Sequence, residues 1–339
     1  MIYGHGDDLY RYNDIRIDVN FSSNIYIHTD HCGLKDHLAK LFHIVNSYPE
    51  PDGGSLARVI SSLSGITESE VIATNGATEA IYLIANTFRN RNSAIVIPTF
   101  SEYQDACSLC DHDIRYITSL DEAGEKDEMI WLCNPNNPTG SVVENDNLEK
   151  VIKSMTDKIF IIDQSYSCFC LSGQLSHSKL CSLPNVISVN SLTKKYAVPG
   201  LRIGYIVTNQ ELALKLKKNC MPWSVNAVAI EAGKYLLNSK VLPFNLEELL
   251  EETVRFRSRL NEIIGITALP TNTHFFLCRM EKGNAAELKR YLIDKHSLLI
   301  RDASNFHGLS NKYFRVATQS KEENDLLIHA IKCWTKHYI

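Results

Sequence analysis

Short runs of apolar residues alternate with helical patterns through the first two thirds of the chain. Several runs are apolar at every position, as expected of a strand that helices cover on both faces. Between them, segments such as ATEAIYLIANTFRN repeat apolar residues near i, i+3, i+4 and i+7, the spacing of one helix face. This alternation predicts an α/β fold with a mainly parallel, doubly wound sheet, whose ligands bind outside the carboxyl ends of the strands. The predicted strands are residues 71–74, 94–98, 114–118, 129–134, 159–163, 186–190 and 202–207.

The pattern changes near residue 240. A long amphipathic helix is followed there by short strands and two further helices, which is typical of a smaller α+β domain. The first residues of the chain have no helical pattern of their own and can join that domain. We therefore predict a large α/β domain at residues 35–240 and a small α+β domain made of residues 1–34 and 241–339.

Composition and charge narrow the range of functions. The 339 residues are 44% hydrophobic and 22% charged, with a net charge of −4 and no basic run, so no nucleic-acid partner is expected. The N-terminus lacks the apolar core of a signal peptide, and no stretch approaches the roughly 18 apolar residues of a membrane span. Ten cysteines in mostly apolar surroundings indicate buried thiols in a reducing compartment, which predicts a cytoplasmic protein.

One cysteine pair invites a metal hypothesis. The segment CSLC at residues 107–110 matches one half of a zinc signature. A second pair of cysteine or histidine ligands at similar spacing does not follow, and two thiols one turn apart on a helix explain the spacing equally well. We therefore predict no metal site.

Four polar motifs follow predicted strands, and the first is an anion cradle. Gly76 permits a tight turn from strand to helix, and the free N–H groups of Ala77 and Thr78 point at whatever lies before the helix. Helix N-termini bind anions through these donors and the helix dipole. Alternatively, Thr78 and Glu79 only cap the helix.

The second and third motifs place an amide, a carboxylate and a hydroxyl at strand ends. In CNPNNPTG, residues 133–140, two Asn-Pro steps make a rigid turn that holds Asn137. In IFIIDQSYS, Asp163 follows four apolar residues, and a carboxylate there is costly unless it meets a cation or a strong donor. Tyr166 can share the same site. An ordinary loop and a loop-capping role for Asp163 are the alternatives.

The fourth motif is NSLTKKYAVPGLRIGY, residues 190–205. A lysine at a strand end can lose its proton through desolvation or nearby positive charge, and then attack a carbonyl. Arg202 suits a phosphate, to which Ser191 and Thr193 can add hydroxyl donors. The alternative, a surface pair formed by Lys194 and Lys195, explains neither the hydroxyls nor the arginine. Together, the four motifs supply the parts that are needed to hold pyridoxal phosphate.

Five motifs follow one another along the chain in the order NGATEA, NPNNPTG, DQSY, SLTKKYAVPGLRIGY and YFRVAT. This arrangement resembles the fold type I pyridoxal-phosphate enzymes of the class I/II aminotransferase family, over essentially the whole chain. The resemblance implies the PLP-dependent transferase-like fold with a seven-stranded sheet, and pyridoxal 5'-phosphate as cofactor. It implies that Lys194, not Lys195, is the Schiff-base lysine. Asp163 then pairs with the pyridine nitrogen, while Asn137 and Tyr166 donate to the 3-oxygen of the ring.

The resemblance also implies the remaining contacts. Tyr103 stacks on the ring, and Arg315 pairs with the α-carboxylate of an amino acid substrate. Tyr48 reaches the phosphate in the partner subunit, which implies a homodimer with shared active sites. His5 in GHGDD and Asn24 in DVNFSSNIY fall at substrate-binding positions. The phosphate is held by Gly76, Ala77, Thr78, Ser191, Thr193 and Arg202.

Within the family, the chain is similar to histidinol-phosphate aminotransferases and, more closely, to threonine-phosphate decarboxylases. The implied enzyme acts on a small, phosphorylated amino acid, by decarboxylation or alternatively by transamination. A non-enzymatic sensor that binds the cofactor is a distant alternative. Three positions depart from the pattern: Asp7 replaces a glycine, the Asn-Pro expected after Ile25 is missing, and Gln319 replaces a basic residue. These changes fall near the predicted substrate pocket.

Overall fold

The computed structural model describes residues 7–12, 15–239 and 244–336. The strands are β1 (Val19–Asn20), β2 (Val71–Thr74), β3 (Asn92–Val96), β4 (Asp113–Ile117), β5 (Met129–Cys133), β6 (Ile159–Asp163), β7 (Val186–Ser191), β8 (Gly204–Thr208), β9 (Ile266–Ala268), β10 (Phe275–Met280), β11 (Leu298–Leu299), β12 (Arg301–Asp302) and β13 (Tyr313–Ala317). The helices are α1 (Cys32–Leu41), α2 (Gly54–Ser64), α3 (Gly76–Thr87), α4 (Ser101–Leu109), α5 (Asn145–Ser154), α6 (His177–Ser182), α7 (Leu192–Lys195), α8 (Gln210–Lys217), α9 (Ala227–Asn238), α10 (Leu246–Asn261), α11 (Ala285–His296) and α12 (Lys321–Thr335).

Seven strands form the central sheet, in the order β2-β8-β7-β6-β5-β3-β4. Neighbours from β4 across to β7 are parallel, whereas β8 is antiparallel to both β7 and β2. Strands β2, β5 and β8 are buried at every position, which explains why their sequences are apolar at consecutive positions. The predicted mainly parallel, seven-stranded sheet is confirmed, and each strand lies within two residues of its predicted bounds.

The reversal at β8 follows from the short connection before it. A parallel crossover usually needs a full helix, whereas residues 192–203 contain only α7 and one 3-10 turn, Pro199–Leu201. The chain therefore turns back at the same edge of the sheet. As a result Lys194, after β7, and Arg202, before β8, lie at one end of the sheet.

The C-terminal part of the chain forms a second sheet, in the order β12-β13-β10-β9, which is antiparallel throughout. The N-terminal segment packs beside it: β1 pairs in parallel with β11 in a separate two-stranded sheet, and the Ala317 N–H of β13 donates to the Phe21 carbonyl. A hydrophobic cluster shared by both parts contains Leu249 and Phe275 alongside residues of the central sheet. The predicted domain bounds, at residues 34/35 and 240/241, stay a prediction.

Side-chain caps fix where several helices begin. The side chains of Asn209, Asn226, Asn245 and Asn284 each accept a hydrogen bond from a backbone N–H in the first turn of the following helix. At α12, Ser320 and Glu323 form a reciprocal capping box. In the part of the chain that the structure describes, all ten cysteines are unpaired thiols, and no helix is both long and apolar enough to cross a membrane.

Candidate active site

The strand ends of the central sheet surround a cavity of about 480 Å³, which the small sheet and the N-terminal segment close from the other side. Its position is the one expected for a ligand of a doubly wound sheet. Most of the residues predicted for the site meet here. The cavity is lined by Ala77, Thr78, Tyr103, Asn137, Asp163, Tyr166, Ser191, Thr193, Lys194, Arg202 and Arg315.

Lys194 is the lysine that faces the cavity. Its Nζ donates to the Ser23 carbonyl at 3.2 Å. Burial, together with the positive charges of Arg315 and Arg202, lowers the pKa of Lys194 to about 8. Such an amine is partly neutral near physiological pH, so it can act as a nucleophile. Lys195 does not line this cavity.

Asp163 presents a buried carboxylate at the end of β6. Its Oδ1 accepts from the Ser165 backbone N–H at 2.9 Å, and its Oδ2 accepts from the Tyr103 hydroxyl at 2.7 Å. Burial raises the pKa of Asp163. The hydrogen bonds from Ser165 and Tyr103, and the positive charge of Lys194, lower this pKa and so offset part of the rise. A carboxylate in this setting gains most from a cationic partner, and the protonated nitrogen of a pyridine ring is such a partner.

Tyr103 is almost fully buried in the wall of the cavity. Its ring is only 1% exposed and stacks on Trp131, with ring centroids 5.8 Å apart, while its hydroxyl donates to Asp163. Phe100, half-buried in the same cavity wall, packs edge-on against Tyr103. Both aromatic side chains line the cavity, so the stacking of Tyr103 on a bound ring stays a prediction, and its observed contact is the hydrogen bond to Asp163.

An anion cradle lies at the start of α3. Gly76 has φ +78, and a Cβ on it would lie 2.6 Å from Nη2 of Arg202, so only glycine allows the guanidinium this close to the backbone. Ala77 and Thr78, in the first turn of the helix, line the cavity, and N–H groups in a first turn lack partners within the helix. The buried Thr193 hydroxyl has no hydrogen-bond partner among the described residues. These groups fit a phosphate.

Arg315 crosses from the small sheet into the cavity. Its two terminal nitrogens donate to the Asn137 side-chain oxygen and to the Ser22 carbonyl, while its buried Nε has no partner within the described residues. Burial lowers the pKa of Arg315 to about 9. Nearby, Asn24 is fully buried beside Tyr166, and both of its amide atoms are unpaired in the described structure. Unpaired groups of this kind are expected where a ligand supplies the partners.

Arg301 is a site residue that the sequence analysis missed. It is the register partner of Arg315 across β12 and β13, so both side chains leave the same face of the sheet. It lines the cavity, is 7% exposed, and burial lowers its pKa to about 10. The signal was present: in LLIRD, Arg301 ends an apolar run in the same way that Asp163 ends IFII.

His274 is a second residue that the sequence analysis missed, directly behind the cavity. It is fully buried between aromatic rings, with its centroid 3.8 Å from Phe169 and 5.5 Å from Phe275. Neither ring nitrogen has a hydrogen-bond partner in the described structure. Burial, with the positive charges of Arg315 and Lys194, lowers the pKa of His274 to about 3.

Two predicted residues lie elsewhere. Tyr48 is 85% exposed and, within one chain, contacts Trp223 away from the cavity, so its predicted contact with a partner's cofactor stays a prediction. His5 lies outside the described residues.

Asp7 lines the cavity with a φ of +60, a region that glycine favours, which accounts for the glycine expected there.

Comparisons with known proteins agree with this geometry. A family model for aminotransferase class I and II matches residues 16–331. The chain is 32% identical to a threonine-phosphate decarboxylase from Salmonella typhimurium, over 93% of this chain and 90% of that protein. It is 28% identical to a histidinol-phosphate aminotransferase from Caldanaerobacter subterraneus subsp. tengcongensis, over 87% of this chain and 86% of that one.

A solved structure is similar over nearly the whole length. The crystal structure of the L-threonine-O-3-phosphate decarboxylase from Porphyromonas gingivalis superposes with a TM-score of 0.92 at 36% sequence identity. The match covers 94% of this chain and 99% of that one.

Proposed function

The chain belongs to the aminotransferase class I and II family, whose enzymes depend on pyridoxal phosphate, and from that premise we propose that it decarboxylates an O-phosphorylated amino acid, with L-threonine O-3-phosphate as the best candidate substrate. One observation carries the choice of substrate class: Arg301 and Arg315 leave register-paired positions and enter the same cavity as Lys194.

Two buried arginines in one pocket suit a substrate with two anionic groups. A guanidinium pairs with a carboxylate or a phosphate through parallel hydrogen bonds, and its burial is costly even where, as at Arg301, a neutral group such as the Asn305 side-chain oxygen accepts a hydrogen bond. The burial that lowers the pKa values of Arg301 and Arg315 is a sign of this cost. A phosphorylated amino acid supplies one carboxylate and one phosphate.

The roles of the protein groups follow from their positions. When bound, pyridoxal phosphate supplies an electron sink that stabilises negative charge at the substrate Cα. Arg202 and the start of α3 would hold its phosphate, and Asp163 would keep its ring nitrogen protonated. The amine of Lys194 would attach the cofactor and later accept or return a proton at Cα. Tyr166 would donate to the 3-oxygen.

The two arginines also govern which bond breaks. The bond at Cα that stands perpendicular to the ring is the one whose cleavage the electron sink assists, so the anchoring of the anionic groups sets the outcome. Loss of the carboxylate releases carbon dioxide, whereas loss of the Cα proton to Lys194 leads to transamination. We propose that Arg301 and Arg315 hold the substrate in the orientation that exposes the carboxylate bond.

The test is carbon dioxide release from O-phospho-L-threonine by the purified protein loaded with cofactor, without any oxo-acid. We expect sustained release over many turnovers. Lys194→Ala should abolish it, and Lys195→Ala, which changes the neighbouring lysine outside the cavity, should retain it. The proposal fails if no carbon dioxide appears and each enzyme molecule instead converts its bound cofactor to the amine form a single time.

The second candidate function is a histidinol-phosphate-type aminotransferase, which the 28% identity to such an enzyme supports. Its amino donor carries a phosphate but no carboxylate. Turnover of histidinol phosphate with an oxo-acid acceptor, without carbon dioxide release from O-phosphothreonine, would establish it. The sensor alternative has no support, because the similar proteins are enzymes.

We further propose a homodimer in which Tyr48 completes the partner's site. The chain exposes a group of large apolar side chains near Tyr48, an unusual feature unless another surface covers them. Within one chain, the rings of Tyr48 and Trp223 contact each other, with centroids 5.4 Å apart, and both remain exposed. The group comprises Phe42, Val45, Tyr48, Met221 and Trp223.

Subunit complementation tests this arrangement. Lys194→Ala and Tyr48→Ala each damage a different part of a shared site, so a mixed dimer contains one intact site. If inactive Lys194→Ala and impaired Tyr48→Ala are unfolded and refolded together, we expect activity to rise to about a quarter of wild type. Activity that never exceeds the sum of the separate variants would contradict a shared site.

We also propose a cellular location and domain bounds for the protein. We place the protein in the cytoplasm, because all ten cysteines are unpaired thiols and most are at least partly buried. We also retain residues 35–240 as the cofactor-binding domain, with residues 1–34 and 241–339 as the small domain.

A further inference from the structure

Residues 22–25 form one wall of the active-site cavity. Ser22, Ser23 and Ile25 line it. The Ser22 carbonyl accepts from Arg315, and the Ser23 carbonyl accepts from Lys194. The position of this short segment therefore affects both the lysine and the arginine that the proposed reaction needs.

One side chain of the small domain binds the backbone at the end of this wall. Gln319 is 1% exposed, and its Nε2 donates to the Ile25 carbonyl at 2.9 Å. Its Oε1 accepts from the Ile27 N–H at 3.2 Å. A single carboxamide thus bonds the backbone on both sides of Tyr26, in the manner of a neighbouring strand.

Gln319 is itself held firmly. Its backbone N–H donates to the Asn324 side-chain oxygen at 3.0 Å, and the Asn324 amide returns a hydrogen bond of 3.0 Å to the Gln319 carbonyl. The same amide also donates to Glu252, at 2.8 Å. The start of α12 therefore gives the carboxamide a fixed position from which to hold the wall.

Only a carboxamide can make both bonds. A lysine or arginine can donate to the Ile25 carbonyl but cannot accept from the Ile27 N–H, and a glutamate has the opposite defect. Two departures from the family pattern are thereby complementary. Without a proline after Ile25, residue 27 has an N–H to satisfy, and Gln319 in place of a basic residue supplies the acceptor.

We propose that Gln319 is a positioning residue for substrate binding, which acts through the wall at residues 22–25 without touching the substrate. With the carboxamide removed, the wall occupies its binding-competent position for a smaller fraction of the time. Apparent affinity falls by that fraction, whereas the chemistry of the bound state is unchanged. The inference rests on the proposed function only in its choice of substrate.

The first test measures hydrogen exchange of the amides of residues 22–27 in the cofactor-loaded enzyme, with Gln319→Leu against wild type. We expect exchange about ten-fold faster in this segment alone, the effect of losing hydrogen bonds of ordinary strength. The matched control is Gln210→Leu, the same change at a glutamine whose exposed side chain donates to Thr67 elsewhere in the chain, and it should leave exchange in residues 22–27 unchanged. Unchanged exchange in Gln319→Leu, or an increase spread over the whole protein, would overturn the inference.

The second test uses steady-state kinetics with O-phospho-L-threonine. Gln319→Leu should raise KM about ten-fold and leave kcat within about two-fold. Gln319→Lys should raise KM to a similar extent. Adding Ile27→Pro, at the start of a turn, to either Gln319 variant should restore much of the lost affinity, because proline removes the residue-27 N–H that the variant leaves unpaired. A fall in kcat with KM unchanged, or no restoration, would refute the positioning role. Exchange needs no substrate, so it decides the inference even if the proposed function fails.

Discussion

His274 offers a sharp test of the electrostatics behind the active site. The wild-type imidazole is neutral, fully buried and unpaired within the described structure. The substitution His274→Leu removes the titrating group and keeps an apolar side chain of similar volume. We expect this change to make the free energy of unfolding less sensitive to acid.

The magnitude follows from the two pKa values. Burial lowers the pKa of His274 from 6.5 to about 3. Between these two pH values, therefore, the imidazole is protonated in the unfolded chain and neutral in the folded protein. Stability is therefore intact above pH 6.5 and is lost as pH falls towards 3. At about 1.4 kcal/mol per pH unit, wild type should lose about 2 kcal/mol from this group between pH 7 and pH 5. A folded pKa of about 4 gives nearly the same loss over this interval.

Urea unfolding followed by circular dichroism, at several pH values from 5 to 8, measures this difference. Other titrating groups are common to both proteins and cancel in the comparison, as does any constant effect of repacking. The stability of His274→Leu relative to wild type should rise by about 2 kcal/mol between pH 7 and pH 5. A stability difference that stays constant with pH would refute the reasoning.

Three further predictions concern the cavity. Tyr103→Phe removes a donor to Asp163 and should weaken cofactor retention about ten-fold, as measured by dialysis and cofactor absorbance; unchanged retention would contradict the assigned contact. Gly76→Ala places a methyl group against Arg202, so the dissociation constant of pyridoxal phosphate should rise at least about ten-fold in a titration, and an unaltered constant would exclude the cradle. Arg301→Gln should raise KM for O-phosphothreonine at least about ten-fold, whereas equal kinetics would remove this arginine from the substrate site.

Much of the fold followed from local patterns. Strands that are covered on both faces, such as β2, β5 and β8, are apolar at consecutive positions and could be predicted directly, and the other four strands of the central sheet also lie within two residues of their predicted bounds. The polar residues that end these runs then met in space, because the carboxyl ends of parallel strands share one edge. Arg301 obeys the same rule and was overlooked, although its sequence context resembles that of Asp163.

Other features depend on neighbours that the local sequence does not reveal. The hydroxyl of Tyr103, in α4, donates to Asp163, at the end of β6, and no spacing between residues 60 positions apart predicts that contact. The apolar surroundings of His274 likewise depend on a distant segment, because the ring of Phe169 packs against it alongside that of its neighbour Phe275.

The sequence by itself determined the layered α/β architecture, because strand and helix patterns depend on residue types at fixed local spacing. Through its resemblance to a known family it also implied the cofactor, which the family match confirms, and Lys194 as the Schiff-base lysine, which stays a prediction. The tertiary structure alone decided how the small domain completes the site. Strand register brings Arg301 beside Arg315, and the start of α12 sets Gln319 against residues 25–27. Both depend on contacts between segments that are distant in the chain, where the energy of packing, and not local propensity, selects the partners.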